Sequence, residues 1–346
     1  MARVDDELAE QPEALARLIG GAGDEIAVLA DRLRRTPVTQ VVIAARGSSD
    51  NAARYAQYVF GGRHRLPVAL AAPSLHTLYE APPTFTGALV IGISQSGQSP
   101  DIVRVLADAR AQGCPTLALT NEVSSPLAST ADHVIDLRAG PERAVAATKT
   151  YTNSLGAVAL LSAALSGRRE DAEAVRATPE RVAAALALAA EHCHPDAFAP
   201  YADAMAIAVI GRGYAYSTAH EIALKIKELT GAIAAPYSAA DLLHGPIAAV
   251  RRGLPVFLVA PSGRTLPNLA DLVEPLRLRG ARLLVASDDE ALLGAADTPL
   301  PLPAGPEWLA PAWATIPGQV AAIAMTRLRG DDPDAPLGLS KVTHTV

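Results

Sequence analysis

The sequence predicts an α/β protein of two tandem domains, each a parallel sheet flanked by helices. First, short apolar runs such as residues 88–93 alternate with amphipathic helical segments, a pattern typical of parallel sheets covered on both faces. Second, the pattern repeats: Arg212 follows Arg46 by 166 residues, and Gly263 follows Gly97 by the same 166. Each of these residues comes just after an apolar run, and one shared offset indicates a duplicated domain.

The elements of the first half follow from apolar spacing and from glycine and proline breaks. Residues 5–35 are predicted to form helix, with Pro12 near a helix start and the glycines within 20–23 breaking the helix in two. Strands are predicted at 41–45, 68–70, 88–93, 116–119 and 134–137, a turn at 46–51, and helices at 52–60 and 102–109.

The second half repeats three of these strands after an intervening helical stretch that is rich in alanine and charge. The repeated strands are predicted at 207–210, 256–260 and 282–286. The resulting boundaries are N-terminal helices over 1–35, a first domain over 36–165, a helical linker over 166–199, a second domain over 200–330 and a C-terminal tail over 331–346.

Composition excludes several classes of protein. The 346 residues are 50% hydrophobic and 19% charged, which is typical of a globular chain long enough for two cores. A net charge of −6 argues against nucleic acid as the main partner. No apolar run is long enough to span a bilayer, and the acidic N-terminus lacks a signal-peptide core, so we expect a cytoplasmic protein. Cys114 and Cys193 form no disulfide framework and fit a reducing compartment.

One strand-to-helix turn is unusually rich in hydrogen-bond donors. It reads Ser94-Gln95-Ser96-Gly97-Gln98-Ser99-Pro100-Asp101. Backbone N–H groups at a helix start bind anions, and serine and glutamine side chains add donors, so the turn predicts a phosphate monoester site. For Ser99 before Pro100 alone, an ordinary helix N-cap is the simpler interpretation. The matching turn of the second repeat, residues 261–264, has lost most of these donors, so we expect the anion site in the first half.

The strongest catalytic candidate is the predicted helix over residues 220–229. Glu221, Lys225 and Glu228 share one face by three- and four-residue spacing, at the margin of an apolar face. A partly desolvated carboxylate there would have a raised pKa and could serve as a general base. The alternative is an ordinary ion-paired helix face.

Three further features are weaker candidates. His244 precedes Gly-Pro at a constrained turn, where an imidazole could transfer protons at neutral pH. The small residues around Val145, in the stretch 144–150, permit close approach of a ligand. Lys341, near the C-terminus, would by itself be interpreted as a solvated charge.

Metal and dinucleotide sites are not supported by the spacing of residues. His192-Cys193-His194 offers adjacent ligands that point in different directions, with no evident fourth ligand. The glycines of the turns at 47 and 211–213 do not complete a dinucleotide fingerprint, so NAD is not expected.

Taken together, these motifs resemble the sugar isomerase (SIS) family, which includes the isomerase half of glucosamine-6-phosphate synthase and stand-alone relatives. The resemblance covers nearly the whole chain. The motifs that carry it are Glu10-Gln11-Pro12, Arg46-Gly47-Ser48-Ser49, the turn 94–101, Ala147-Thr148-Lys149-Thr150, Gly211-Arg212-Gly213, the segment 221–228, His244-Gly245-Pro246 and Ser340-Lys341-Val342-Thr343.

The resemblance implies a pair of flavodoxin-like domains that bind a hexose 6-phosphate as a homodimer, without metal or organic cofactor. It assigns the phosphate to Ser49, Ser94, Gln95, Ser96 and Ser99, and the lining of the sugar site to Val145. The tail over 331–346 is expected to return to the active site.

The resemblance also implies catalytic roles. Glu228 would move a proton between carbons 1 and 2 of the open-chain sugar, while Lys225 and Glu221 would bind sugar hydroxyls or steer this base. His244 of the neighbouring subunit would help to open the ring. Lys341 matches the synthase lysine that forms a Schiff base with fructose 6-phosphate.

Two departures from the synthase favour a different reaction. The synthase has an N-terminal glutaminase domain, whereas here Met1 leads almost directly into the isomerase-like helix, so we expect glutamine not to be the nitrogen source. The turn also continues Gln98-Ser99-Pro100-Asp101 where the synthase has an acidic residue, Thr and Ala, and this variant resembles stand-alone amino-sugar deaminases.

The first expectation is therefore a deaminase that converts glucosamine 6-phosphate to fructose 6-phosphate and ammonia, with no required role for Lys341 as a Schiff base. The alternatives are a fructosamine-6-phosphate deglycase, with room for its amine near residues 74–85 or Tyr237, an enzyme for galactosamine 6-phosphate, and a sugar-phosphate sensor without turnover. Regulators with SIS domains carry a basic DNA-binding segment, which this sequence lacks.

Overall fold

The computed structural model describes residues 2–36 and 38–341, which form two compact units. The first unit comprises Glu10–Arg143, Ala147–Ala177 and residues 340–341. The second unit comprises residues 2–9, Ala144–Ala146 and Thr178–Leu339. No helix within the described ranges is long and apolar enough to cross a membrane.

Three helices open the chain, and the first of them belongs to the second unit. They are α1 (Arg3–Ala9), α2 (Gln11–Gly21) and α3 (Gly23–Arg35). The first unit continues with β1 (Gln40–Ala45), α4 (Gly47–His64), β2 (Val68–Leu70), α5 (Ser74–Thr77), β3 (Ala88–Ile93), α6 (Pro100–Ala111), β4 (Thr116–Thr120), α7 (Pro126–Thr130), β5 (His133–Asp136), α8 (Lys149–Ser166) and α9 (Arg169–Arg176).

The second unit carries the remaining elements. They are α10 (Thr178–His192), α11 (Pro195–Phe198), β6 (Ala206–Gly211), α12 (Ala215–Thr230), β7 (Ile233–Ser238), α13 (Ala239–Leu243), β8 (Pro255–Ala260), α14 (Leu266–Ala270), α15 (Val273–Leu278), β9 (Arg282–Ser287), α16 (Glu290–Gly294), β10 (Thr298–Pro301), α17 (Pro311–Ala314) and α18 (Ile316–Leu328). Short 3₁₀ turns lie at Ala199–Tyr201 and Pro246–Ala249.

Each unit contains a five-stranded parallel sheet, and the two sheets have the same topology. The strand orders are β2-β1-β3-β4-β5 and β10-β9-β8-β6-β7, so β6 to β10 repeat β1 to β5 one for one. The predicted α/β class and the internal repeat are therefore confirmed. In such a sheet, ligands bind outside the carboxyl ends of the strands where the strand order reverses. In the first unit this point lies between β1 and β3.

The central strands carry the cores of both units. All six residues of β3 and of β8 are buried, because helices cover both faces of each sheet. Close packing at β3 depends on Gly92, where a Cβ atom would lie 2.8 Å from Leu106 and 2.9 Å from Leu127. The rigid sheet fixes the position of the polar turn that follows β3.

Several predicted boundaries are wrong. Helix α4 begins at Gly47 rather than at residue 52, so the predicted turn at 46–51 is mostly the first turn of a helix. A second break at Glu10 divides the N-terminal helices into three instead of two, with Pro12 in the first turn of α2. Strands β7 and β10 were not predicted, because both are edge strands that contain proline and expose part of their surface.

Helix α8, which ends the predicted first domain, is a core helix of the first unit. Helix α8 packs against α2, α4 and α9 within the first unit, and fourteen of its eighteen residues are buried. Alanine favours helix, and its small side chain allows α8 to pack closely against its neighbours.

Candidate functional site

The serine-rich turn lies at the carboxyl end of β3, beside the point where the strand order reverses. The Ser94 hydroxyl oxygen accepts the Gly97 N–H at 3.1 Å, and the Ser96 hydroxyl oxygen accepts the Gln98 N–H at 3.3 Å. A hydroxyl that accepts from the backbone keeps its own proton for donation. The Ser94 and Ser96 hydroxyls are therefore held in place by the turn, and each can still donate its proton to a ligand.

Ser99 stands at the N-cap position of α6, with Pro100 following it, but its side chain makes no cap hydrogen bond within the described structure. Ser99 therefore occupies the N-cap position that the simpler interpretation predicts, but its side chain does not make the hydrogen bond of an N-cap. Ser125 shows the contrast, because its side chain accepts the Ala128 N–H and caps α7. The Ser99 hydroxyl lies beside the N–H groups at the start of α6, which favour an anion.

A guanidinium group joins the two strand ends at this position. Arg46 directly follows β1 and donates to the buried Asp101 carboxylate of α6, with Nη2–Oδ2 at 2.7 Å and Nε–Oδ2 at 2.9 Å. Ser49, in the first turn of α4, is half-buried close by in sequence. A cation therefore lies at the strand ends although the turn itself contains neither lysine nor arginine.

Gly97 is required by both the conformation and the space of the turn. Its φ of 63° is left-handed, and a Cβ atom there would lie 2.0 Å from the Ser125 hydroxyl oxygen. We expect Gly97→Ala to lower the free energy of unfolding by about 3 kcal/mol and to weaken phosphate binding. Gly113→Ala is the matched control, because Gly113 has φ of 76° with nothing within 4 Å of its Cβ position. Equal losses in the two variants, measured by denaturant unfolding, would contradict the steric argument.

The corresponding turn of the second unit is occupied by carboxylates. The Ser262 N–H donates to Asp288 at 2.6 Å, and the Thr265 hydroxyl donates to Glu307 at 3.3 Å. Carboxylates at this position repel a second anion. This arrangement supports the expectation that the anion site lies in the first half.

A polar cavity of about 780 Å³ opens beside the turn in the first unit. It is lined by Arg17, Gln95, Ser96, Gln98, Asn121, Glu122, Asp136, Arg138, Gly140, Pro141, Glu142 and Arg143. The turn thus contributes three of its side chains to the wall of a cavity large enough for a small polar molecule.

Glu142 is a buried carboxylate that the sequence reasoning missed. It accepts the N–H groups of Thr148 and Thr150 at 3.0 and 3.1 Å and the Thr150 hydroxyl at 2.6 Å, at the start of α8. The Lys341 ammonium lies 3.0 Å from its Oε2 atom. Residues 342–346, which include the last two residues of the C-terminal motif, lie outside the described residues. Sequence spacing gave no signal for Glu142, because its partner is 199 positions away.

This environment lowers the pKa of Glu142. Burial alone would raise that pKa, but the Lys341 ammonium and the hydrogen bonds from Thr150 and Thr148 outweigh burial and hold the pKa below its ordinary value. A lowered pKa in the folded state gives stability that is present above the unfolded pKa and is lost as the pH falls through the folded pKa.

We therefore expect wild type to melt at a higher temperature than Glu142→Gln at pH 7, with the difference shrinking as the pH falls below about 4.5. The measurement is a series of thermal melts from pH 7 to about pH 3. Glu173→Gln, which removes half of an exposed ion pair on α9, is the control and should show little difference at any pH. A Glu142→Gln deficit that grows with acid would contradict the pKa direction.

The second unit holds the predicted acid–base cluster on α12. Lys225 is almost fully buried and donates to Glu228, and its Nζ atom lies 3.5 Å from an oxygen of the fully buried Glu221. Glu228 is the most exposed of the three, with 24% of its side chain accessible. The three side chains thus share one face of α12, as predicted. The partly exposed Glu228 carboxylate is bound by the buried Lys225 ammonium.

Close packing positions this helix directly after β6. A Cβ atom on Gly211 would lie 2.2 Å from the Ala215 carbonyl oxygen, and Gly213 has a left-handed φ of 61°. Only glycine allows the chain to turn this sharply from strand to helix. Helix α12 therefore starts immediately outside the carboxyl edge of the second sheet.

His244 and Val145 are the other predicted site residues of the second unit. His244 is exposed at the end of α13, before Gly245, whose φ is 138°. Val145 is half-buried in a short segment whose Ala144 N–H donates to the Glu7 carboxylate at 3.2 Å.

Two of the other motifs have a structural explanation within the first unit. The buried Lys149 ammonium pairs with Glu10, and the Thr152 hydroxyl donates to the Gln11 side chain. Glu10 and Gln11, at the start of α2, are therefore bound to Lys149 and Thr152 in the first turn of α8.

The structure groups the candidate residues by unit. Ser49, Ser94, Gln95, Ser96, Ser99 and Lys341 belong to the first unit, and Val145, Glu221, Lys225, Glu228 and His244 to the second. Among residues 2–36 and 38–341, no cluster of three or more His, Cys, Asp or Glu side chains could hold a metal ion. Burial raises the pKa of the Cys193 thiol to about 12, which makes it a poor metal ligand at neutral pH.

A family model matches both halves of the chain. The SIS domain matches residues 36–164 and 201–329. A glutamine–fructose-6-phosphate aminotransferase (isomerizing) from Pyrococcus horikoshii is 33% identical over 341 residues, which are 97% of this chain and 56% of that protein. The chain thus spans a little over half the length of this relative.

Two solved structures are similar over their whole length. One is of a provisionally named phosphosugar isomerase from Silicibacter pomeroyi DSS-3, 33% identical with a TM-score of 0.87, covering 96% of this chain and 100% of that one. The other is the C-terminal domain of a glucosamine-fructose-6-phosphate aminotransferase from Francisella tularensis, 26% identical with a TM-score of 0.86, covering 97% and 98%.

Proposed function

Because this chain belongs to the SIS domain family, we propose that it is a phosphosugar aldose–ketose isomerase, and specifically a deaminase that converts glucosamine 6-phosphate to fructose 6-phosphate and ammonia. The observation that carries the proposal is the cluster on α12, in which the buried Lys225 supports Glu228 at the helix surface. A carboxylate fixed in this way is suited to moving a proton between neighbouring carbons.

The proposed reaction needs only proton transfers and water. After ring opening, in which His244 acts as the acid–base group, the Glu228 carboxylate removes the proton from carbon 2 of the aldehyde. The resulting enaminol receives a proton at carbon 1, which gives the ketose imine. Water adds to carbon 2 and ammonia leaves, so that one sugar phosphate and one water yield fructose 6-phosphate and one ammonia.

The phosphate would be held by the first unit. Ser94 and Ser96 keep hydroxyl protons free for donation, and Ser99 and Ser49 stand at the starts of α6 and α4. Donors of this kind bind a phosphate through hydrogen bonds and helix dipoles. Gln95 would add a side-chain amide, and Val145 would line the sugar.

A second candidate, deglycation of a fructosamine 6-phosphate, is favoured by the 780 Å³ cavity. Arg17, Arg138 and Arg143 in its wall could bind the carboxylate of an amino-acid adduct. The same base would then move a proton from carbon 1 to carbon 2, and hydrolysis would release glucose 6-phosphate and the amine. Residues 74–85 and Tyr237, where the sequence leaves room for the amine, are not in the wall of this cavity.

A substrate comparison tests both candidates. Purified protein is given glucosamine 6-phosphate, galactosamine 6-phosphate or a fructosamine 6-phosphate, and the sugar phosphate products are identified. The proposal expects the highest kcat/KM with glucosamine 6-phosphate. Turnover of the adduct alone would favour deglycation, and binding of all three without turnover would favour a sugar-phosphate sensor.

We also propose that the active form is a homodimer in which His244 acts in the neighbouring subunit, since His244 is exposed on its own chain. Mixing inactive His244→Ala and Glu228→Gln proteins after subunit exchange should then restore up to about a quarter of wild-type activity, because some mixed dimers contain one intact site. No activity at any mixing ratio, despite demonstrated exchange, would contradict the shared site.

A further inference from the structure

We propose that Glu142, which contributes to the wall of the polar cavity, is a positioning residue for Lys341. The inference rests on the proposed function, in which the Lys341 ammonium would bind the open-chain sugar as a hydrogen-bond donor and not as a Schiff base. Glu142 itself is not assigned a role by the family motifs described above.

The Glu142 carboxylate makes two kinds of contact, one with the start of α8 and one with Lys341. Glu142 receives the N–H groups of Thr148 and Thr150 and the Thr150 hydroxyl, so its own orientation is fixed by the start of α8. Its Oε2 atom is also 3.0 Å from the Lys341 ammonium. A side chain locked by three hydrogen bonds makes a rigid support for a fourth group, which is the arrangement that functional sites require.

The burial of the two charged groups also supports a positioning role for Glu142. The Glu142 side chain is fully buried, whereas 23% of the Lys341 side chain is exposed. The carboxylate therefore has little water to replace a lost ammonium, while the ammonium retains a face toward solvent. Lys341 is among the last described residues of the chain, so this ion pair fixes the end of the described chain to the first unit.

The test combines chemical labelling with kinetics. An amine-reactive acetylating reagent is applied to wild type and Glu142→Gln, and the labelling rate of Lys341 is measured by peptide mass spectrometry. We expect Lys341 to react about tenfold faster in Glu142→Gln, because a charge-assisted hydrogen bond is lost. Glu173→Gln, on an exposed ion pair, is the control and should leave Lys341 labelling unchanged.

Steady-state kinetics of single and double variants then test whether Glu142 acts through Lys341. We expect Glu142→Gln to lower kcat/KM by about tenfold or more, and the double variant with Lys341→Met to be no worse than Lys341→Met alone. Thr150→Val removes one of the three hydrogen bonds that hold Glu142 but leaves both backbone donors and the ammonium contact, so it should speed Lys341 labelling less than Glu142→Gln does.

The outcomes separate the two proposals. Wild type that turns over no sugar phosphate would contradict the proposed function, yet the labelling comparison would still decide the contact. Equal Lys341 labelling in folded wild type and Glu142→Gln, or a further loss in the double variant, would overturn the positioning role.

Discussion

Replacing Glu228 by glutamine is expected to lower kcat by about a thousandfold while sugar-phosphate binding persists. Glutamine keeps the size of the side chain and can still accept from Lys225, but it cannot take up a proton, and general base catalysis contributes about 10² to 10⁴ in rate. Glu228 is partly exposed and is bound by the buried Lys225, so the variant should fold. The measurement pairs steady-state kinetics with calorimetric binding of fructose 6-phosphate.

The control for Glu228 is Glu274→Gln, which makes the same substitution at an exposed position on α15 of the same unit. It should retain wild-type turnover. Glu228→Gln with near wild-type kcat would remove Glu228 from the proton-transfer role. A protein that binds sugar phosphate with no turnover in wild type or variant would instead be a sensor.

The second large effect is expected from Lys225→Met. The change leaves the fully buried Glu221 carboxylate without the ammonium that lies 3.5 Å away, and loss of one partner from a buried ion pair costs about 3–5 kcal/mol. We expect the second unit to unfold at a temperature about 10 °C lower, and turnover to fall because Glu228 loses its support.

Lys227→Met is the matched control, because it makes the same substitution two positions along α12 at an exposed site. Its melting temperature should stay within about 2 °C of wild type. Combining Lys225→Met with Glu221→Gln should restore part of the stability, because the second change removes the buried charge that has lost its ammonium partner. Equal melting of the Lys225 and Lys227 variants would contradict this expectation.

Sequence reasoning predicted the parts of the molecule that depend on local pattern and repetition. The apolar runs located eight of the ten strands, and the 166-residue offset predicted a second sheet that repeats the order of the first. The three-residue and four-residue spacing of Glu221, Lys225 and Glu228 predicted their common face. These features are visible in sequence because the periodicity of a helix or strand connects them.

The features that escaped prediction are those set by distant contacts or by exposure. Strand β10 lies at the edge of its sheet and contains two prolines, and because proline is rare in strands its sequence does not predict a strand. Lys341 taken alone indicates a solvated charge, because nothing near it in sequence points to Glu142. Asp288 and Glu307, which occupy the repeated turn, were likewise invisible until folding placed them beside it.

We propose above that this chain moves a proton between carbons 1 and 2 of an amino-sugar phosphate. The most direct test of this proposal is the time course of ammonia and fructose 6-phosphate released from glucosamine 6-phosphate, with Glu228→Gln as the blank. We expect both products to appear in equal amounts with wild type and to be nearly absent with the variant. A wild-type protein that binds glucosamine 6-phosphate but releases no ammonia and no fructose 6-phosphate would contradict the proposed function.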